Sequence, residues 1–238
     1  TNFYGIFGRN TGLLAYCSFL FLALAAAVLR NQNHFERIVF GLLSAGVINV
    51  VYCLWAWQIG DFIGWNNPFG TILGTFGNPN FIGAFLGIFI TALTAYVVQP
   101  GISWKYRGLA LITVAIGLFE IQKSHAVQGL VVSAAGFSII GFYFIRSKFK
   151  SNLILAGYTI AVAILGFISL LGALQKGPLT SFIYKTSVSL RGEYWQAGWN
   201  MASQFPFTGV GMDAYGDWYR RARDEQALIL PGPETVTN

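Results

Sequence analysis

Charged residues are scarce in this chain. Asp, Glu, Lys and Arg make up 10% of its 238 residues, against about 25% in an ordinary soluble domain. Hydrophobic residues reach 55% and aromatic residues 16%. A chain with so little charge does not form the surface of a water-soluble domain. We therefore predict an all-α polytopic integral membrane protein.

Cysteine and histidine are rare as well, with two of each. Cys17 and Cys53 both lie in apolar runs, which indicates small core side chains rather than a disulfide. His34 and His125 are too few and too far apart in the sequence for a metal cluster. The composition therefore predicts no metal site.

Six apolar runs approach the length of about 20 residues that a helix needs to cross a bilayer. They cover residues 12–29, 38–59, 81–98, 108–122, 126–145 and 153–174. No such run follows residue 174. We predict a transmembrane bundle of six spans over residues 1–174. Residues 175–238 then form the first part of a large periplasmic or extracellular loop.

The basic residues of the loops predict the orientation, because Lys and Arg concentrate on the cytoplasmic side. Loops after the first, third and fifth spans hold seven of them: Arg30, Arg37, Lys105, Arg107, Arg146, Lys148 and Lys150. The loops after the second and fourth spans hold only Lys123. The start of the third span and residues 175–238 are therefore expected outside. The net charge of +6 is mostly this topological signal, so no nucleic-acid partner is predicted.

The stretch "GTFGNPNFIG" opens the third span with residues that are costly inside a membrane. Asn78 is a good N-cap and Pro79 suits the first helical turn, which predicts a well-capped helix start. Alternatively, the amides of Asn78 and Asn80 face a polar ligand at a helix N-terminus, where anions are favoured. Gly83 and Gly87 have the spacing of a helix-packing motif.

The stretch "QKSHAVQG" places Lys123 and His125 at the outer start of the fifth span, with Glu120 just before them. One interpretation is an interfacial ion pair between Glu120 and Lys123, three residues apart, beside a solvated His. The other is a functional polar site, since ionisable groups at membrane depth are often functional.

The outer segment contains "SVSLRGEYWQAGWNMASQFPFTG". We predict a helix that is N-capped by Ser189 and ends near Gln204, before the break at Phe205-Pro206. Arg191, Trp195 and Trp199 fall on one face of that helix, which should lie against the bilayer or the bundle with the Trp rings inward. Arg191, at the predicted helix start, either snorkels toward lipid phosphates or binds an anion. A second helix is predicted over residues 213–225.

These motifs together resemble the O-antigen ligase superfamily, which includes O-antigen ligases, O-antigen polymerases and bacterial O-oligosaccharyltransferases. The resemblance is carried by "GTFGNPN", by "RGEYWQAGWNM" and by the following "PFTGVGMDAY". It implies a membrane fold of the lipid-dependent (GT-C-like) glycosyltransferase type. It also implies transfer of a glycan from a polyprenyl pyrophosphate carrier to a lipid A core, protein or polysaccharide acceptor. The site would be at the outer face of the bacterial inner membrane and would work without metal or other cofactor.

The same resemblance assigns roles to particular residues. Arg191 matches the family's outer-loop Arg and would hold the pyrophosphate, together with Lys123, His125, Asn78 and Asn80 as substrate-binding candidates. The family often has Ser-Arg where this chain has Ser124-His125. Either Lys123 or His125 takes the place of that Arg, or the alignment is shifted by one helical turn. The family's catalytic His has no match up to Asn238.

One further expectation concerns the ends of the chain, and two alternative functions stay open. The chain starts at Thr1 and stops inside the run "ILPGPETVTN", so we expect a middle fragment that alone lacks transferase activity. The main alternative function is a transporter or flippase-like protein with a Glu120, Lys123 and His125 relay. A structural membrane scaffold without chemistry is a third possibility.

Overall fold

A computed structural model describes residues 3–4, 12–65, 67, 70–174, 176–180, 186–211 and 214–223. Within these ranges the chain is helical and contains no strand. The helices are α1 (Leu13–Val28), α2 (Gln32–Gln58), α3 (Pro79–Val98), α4 (Trp104–Lys123), α5 (Val127–Phe149), α6 (Asn152–Ala173), α7 (Thr186–Gln204) and α8 (Tyr215–Ala222). A short 3₁₀ turn, Gly74–Phe76, precedes α3. The six predicted apolar runs all correspond to helices.

Four of these helices, α2, α3, α5 and α6, are long and apolar enough to cross a membrane. Helix α1 is apolar but has only 16 residues. Helix α4 has 20 residues, but charged residues occupy its first and last turns: Lys105, Arg107, Glu120 and Lys123. The helical architecture is that of a polytopic membrane protein, and the count of six spans stays a prediction.

Contacts group the described residues into two compact units. We call Asn31–Leu165 the core unit, and Thr1–Arg30 with Gly166–Asn238 the terminal unit. The predicted division between residues 174 and 175 stays a prediction.

Helix α3 lies at the centre of the core unit, where it packs on α5, α4 and α2. Its side chains Ile82, Leu86, Phe89 and Ile90 are fully buried and form one cluster with Val50 and Cys53 of α2 and with Val114 and Ile121 of α4. Helix α6 has only Gly172 buried, and apolar side chains such as Ile160 and Leu165 are more than half exposed. This distribution is typical of spans whose outer faces contact lipid.

Small residues bring α3 and α5 into backbone contact. A Cβ atom placed on Gly129 would lie 2.6 Å from the carbonyl oxygen of Gly83, and one on Gly87 would lie 2.8 Å from the carbonyl oxygen of Gly129. Only glycine allows helices to approach this closely. The packing role predicted for Gly83 and Gly87 is confirmed.

Candidate functional site

The start of α3 is built as the sequence predicts. Gly77 adopts the left-handed conformation with φ of 63°, which turns the chain sharply before the helix. Asn78 is the N-cap, and its side chain accepts a hydrogen bond from the backbone N–H of Asn80 at 2.9 Å. Pro79 occupies the first turn. The capping interpretation is confirmed, whereas ligand binding by Asn78 and Asn80 stays a prediction.

Asn49 fixes the turn that leads into this helix start, a role that the sequence reasoning missed. It lies in α2 and is 5% exposed. Its Oδ1 accepts hydrogen bonds from the backbone N–H and the hydroxyl of Thr75, while its Nδ2 donates to the Ala45 carbonyl at 3.0 Å. The signal was available, because a single Asn in the apolar run "GVINVVYCL" needs a partner when it is buried.

The α4–α5 turn lies beside the first turns of α3. A Cβ on Gly83 would be 2.7 Å from the Ala126 Cβ and 3.2 Å from the Ser124 Oγ. Ser124 is buried; its hydroxyl donates to the Ile121 carbonyl and accepts from the Ala126 N–H. His125 is exposed and has a left-handed φ of 55°, a conformation that is uncommon for a residue other than Gly. The two predicted motifs, around Asn78 and around His125, therefore meet at one end of the core unit.

Lys123 ends α4 at this same end of the core unit. Its ammonium lies 5.6 Å from the centroid of the Trp57 ring and 5.5 Å from that of Phe119, and these two rings contact each other edge to face at 4.9 Å. Cation–π contacts of this kind stabilise a Lys by about 0.5–1 kcal/mol at exposed sites. The side chain of Lys123 is therefore oriented by aromatic rings of α2 and α4.

Glu120 does not form the ion pair that was considered for it. Its side chain is fully buried, and among the described residues neither carboxyl oxygen has a hydrogen-bond partner. Lys123 instead faces Trp57 and Phe119. The physical reason is that residue 120 points into the helix interface while residue 123, at the helix end, reaches the aromatic pair. The first link of a relay through Glu120, Lys123 and His125 is therefore not formed.

Helix α7 begins four residues earlier than expected, since a Ser189 N-cap makes Leu190 the first helical residue. It runs over Thr186–Gln204, so the predicted end is correct but Ser189 is inside the helix and is not its N-cap. Ser is a common N-cap residue, but the helix extends past Ser189 toward the N-terminus, which local sequence did not indicate. Arg191 is consequently the sixth residue of α7. Its backbone is helical, and its side chain lies outside the described residues.

Helix α7 packs on α8 through a face different from the predicted one. Ala197 and Met201 of α7 and Tyr219 and Ala222 of α8 form a buried cluster, joined by Tyr194, Val210, Tyr215 and Trp218. The Tyr215 hydroxyl donates to the Tyr194 carbonyl. Burial raises the pKa of the Tyr215 hydroxyl. Helix α8 is shorter than the predicted 213–225, because it ends at Ala222.

The Trp pair of α7 points away from this cluster. Trp195 is 76% and Trp199 71% exposed, so within the described part of the chain the protein does not cover their rings, and of the two contacts expected for this face, bundle or bilayer, the bundle contact is not observed. The aromatic face of an amphipathic helix can be buried in a bilayer as well as against other helices. Lipid contact by this face stays a prediction.

A comparison with protein families matches residues 109–236, just over half of the chain, to the O-antigen ligase family. This chain belongs to the O-antigen ligase family. The matched segment runs from Leu109 in α4 through α5, α6, α7 and α8. No curated protein and no solved structure matched in the other two comparisons.

Membership of the O-antigen ligase family implies a membrane enzyme of the ligase or glycosyltransferase type, a class that acts on glycans and lipid-linked substrates. The match includes Lys123, His125 and Arg191 but begins after the "GNPN" helix start. That element joins the site by its contact with the α4–α5 turn. Among the described residues, no group of three His, Cys, Asp or Glu side chains could hold a metal ion.

Proposed function

We propose that this chain binds a glycan linked to a polyprenyl pyrophosphate at the outer face of the bacterial inner membrane. The enzyme that it represents transfers the glycan to a lipid A core, a protein or a growing polysaccharide. In this reaction an acceptor hydroxyl oxygen attacks the anomeric carbon of the donor. The bond from that carbon to the carrier phosphate breaks, the hydroxyl loses its proton, and the pyrophosphate leaves with the electron pair.

One observation carries the proposal beyond the family: polar elements from separate helices converge at one end of the core unit. The N-terminus of α3 with Asn78 lies there beside the turn that bears His125. A helix N-terminus presents the positive end of the helix dipole, and it favours phosphate groups. Lys123 adds a full positive charge at the same end. Such an arrangement suits a pyrophosphate at the water–lipid boundary.

Arg191 is the residue that we propose holds the pyrophosphate of the donor. A guanidinium can donate to two phosphate oxygens at once through its planar fork, which a Lys ammonium cannot do. Because Arg191 lies in the second turn of α7, where the dipole effect has faded, the role rests on its own charge and geometry. Preset donors that stabilise leaving-group charge contribute about 3–4 kcal/mol each to catalysis.

The decisive experiment compares two variants of the enzyme at matched membrane expression. Arg191→Lys should lose about two orders of magnitude in the rate of glycan transfer. Arg220→Ala is the matched control, because Arg220 is an exposed cation on α8, and it should retain most activity. Near-normal transfer by Arg191→Lys would leave Arg191 as a lipid anchor only, and the pyrophosphate site would then be sought at Lys123 and His125.

We further propose that the reaction needs no metal, so that the protein's own cations carry the charge stabilisation. Transfer in the presence of EDTA should equal transfer without it, and a loss that added Mg²⁺ restores would contradict the proposal. The transporter alternative is not favoured, because Glu120 has no hydrogen-bond partner in the described part of the chain and Lys123 faces two aromatic rings.

A further inference from the structure

An open groove between α5 and α6 lies apart from the candidate site. Its volume is about 430 Å³, and its walls are Ser138, Ile139, Phe142 and Tyr143 of α5 with Tyr158, Thr159 and Val162 of α6. This volume is within the range of sites that bind small molecules, about 300–1,000 Å³. The hydroxyl of Tyr158 joins the two helices by donating to the Ser138 carbonyl at 2.8 Å. The groove is therefore a built feature of the α5–α6 pair.

The hydrogen-bonding groups on the groove wall are mostly satisfied within the protein. The Ser138 hydroxyl donates to the Ala134 carbonyl, and the Thr159 hydroxyl donates to the Leu155 carbonyl. The Tyr158 hydroxyl is also hydrogen-bonded within the protein. A molecule in the groove would therefore contact mainly aliphatic and aromatic surface. Both helices are long and apolar enough to cross a membrane. These features favour a hydrocarbon chain over a polar solute.

A basic cluster follows the groove along the chain. Arg146 and Lys148 lie in the last turn of α5, and Lys150 follows it. Ile139, Tyr143 and Arg146 have spacings of four and three residues, so they lie on one face of the helix. All three basic side chains of the cluster are exposed.

The charge of the basic cluster is not neutralised by the surrounding sequence. Between Glu120 and Glu193 the chain contains no Asp or Glu. Within the part of the chain that the structure describes, none of the three forms a salt bridge. Basic residues directly beyond a membrane helix attract anionic headgroups. The cluster also belongs to the loops that are predicted to be cytoplasmic.

We propose that the α5–α6 groove binds one anionic glycerophospholipid of the cytoplasmic leaflet. An acyl chain of the lipid lies against Ile139, Tyr143 and Val162, and its phosphate contacts the basic cluster. The site is distinct from the proposed donor site, which is at the opposite end of α5. The inference does not depend on the proposed function.

The test is a lipid titration of the full chain in neutral detergent, followed by native mass spectrometry. Phosphatidylglycerol and phosphatidylcholine with the same acyl chains are the probes. We expect phosphatidylglycerol to bind at least tenfold more tightly. Each basic residue near an anionic lipid surface contributes about fivefold to affinity. The variant R146Q/K148Q/K150Q should therefore lose phosphatidylglycerol binding by on the order of 10²-fold.

A charge-matched control is R30Q/R37Q/K105Q, which removes three cations from the other loops predicted on the same side. It should bind phosphatidylglycerol like the unmodified chain. Equal losses by the two triple variants would overturn the proposal, because the attraction would then be non-specific. Binding of glycerol phosphate as tight as that of phosphatidylglycerol would overturn the role of the groove.

Groove-filling variants test the hydrocarbon contact with all charges in place. Thr159→Trp should lower phosphatidylglycerol affinity at least tenfold, and Ile139→Trp provides a second variant if the first does not fold. Unchanged affinity in a folded variant would contradict the proposal. Tighter binding of polyprenyl phosphate than of phosphatidylglycerol would assign the groove to the carrier instead. Disulfide cross-linking of Tyr143→Cys to a second copy would assign it to a protein interface.

Discussion

Oδ1 of Asn49 accepts two hydrogen bonds from Thr75, one from the backbone N–H at 3.1 Å and one from the hydroxyl at 2.9 Å. The two residues are 26 positions apart, and the contact joins the middle of α2 to the 3₁₀ turn before α3. It therefore holds the entry to the "GNPN" helix start at a defined place in the core unit.

Asn49→Leu should lower the free energy of unfolding by about 1–3 kcal/mol, because it leaves the Thr75 N–H without its acceptor. Unfolding in detergent by a denaturant titration measures the change. Thr75→Val is the matched control. It removes only the hydroxyl bond and should cost about 1 kcal/mol. Equal stability of Asn49→Leu and the unmodified chain would show that water replaces the bond.

Substitutions at Asn78 and Asn80 distinguish a capping role from a role in ligand binding. Asn78→Ala should cost about 1 kcal/mol of unfolding free energy because the α3 cap is lost, whereas Asn78→Ser should retain most of it. Asn80→Ala should leave stability nearly unchanged, since its side chain is exposed. Lower glycan transfer by the stable Asn80→Ala enzyme is the result expected from substrate binding. If its transfer is normal, Asn80 does not contact the donor.

Gly129→Ala should destabilise the core unit by about 1–3 kcal/mol, because the added methyl group meets the carbonyl oxygen of Gly83 at 2.6 Å and the helices must separate. Gly157→Ala in α6 is the control. No atom of the described residues lies within 4 Å of a Cβ at that position, and Ala favours a helix over Gly by about 1 kcal/mol. The two thermal unfolding midpoints should thus move in opposite directions. A Gly129→Ala midpoint at or above the unmodified value would contradict the close α3–α5 packing.

The predicted topology can be tested by labelling. In a chain with Cys17→Ala and Cys53→Ala, Ser203→Cys lies in the outer segment and Lys148→Cys in the last turn of α5, the end that is expected in the cytoplasm. A membrane-impermeant maleimide added to intact spheroplasts should label the cysteine at position 203 and not the cysteine at position 148. Permeabilised spheroplasts should give both labels. The reverse pattern in intact spheroplasts would overturn the orientation.

Much of the candidate site could be read from local sequence. The cap at Asn78 follows from an Asn-Pro pair in front of an apolar run, and a cap involves only neighbouring residues. The packing role of Gly83 and Gly87 follows from their spacing. The start of α7 was misplaced because Ser is a common N-cap residue, yet the helix begins before Ser189. The sequence left open whether the Trp face of α7 meets lipid or protein, because apolar residues on a membrane protein can turn toward either.

The sequence by itself determined that this is a helical membrane protein, where its apolar helices lie, and that it resembles the O-antigen ligases. Composition, run length and motif order are properties of the chain and do not depend on how its helices pack. Only the tertiary structure decided which helices touch. It placed Asn49 on Thr75, set the α4–α5 turn beside Gly83 and directed Lys123 to Trp57. It also left Glu120 buried, with no hydrogen-bond partner among the described residues. These relationships join residues far apart in the sequence, and they arise from close packing of helix against helix, which local patterns do not specify.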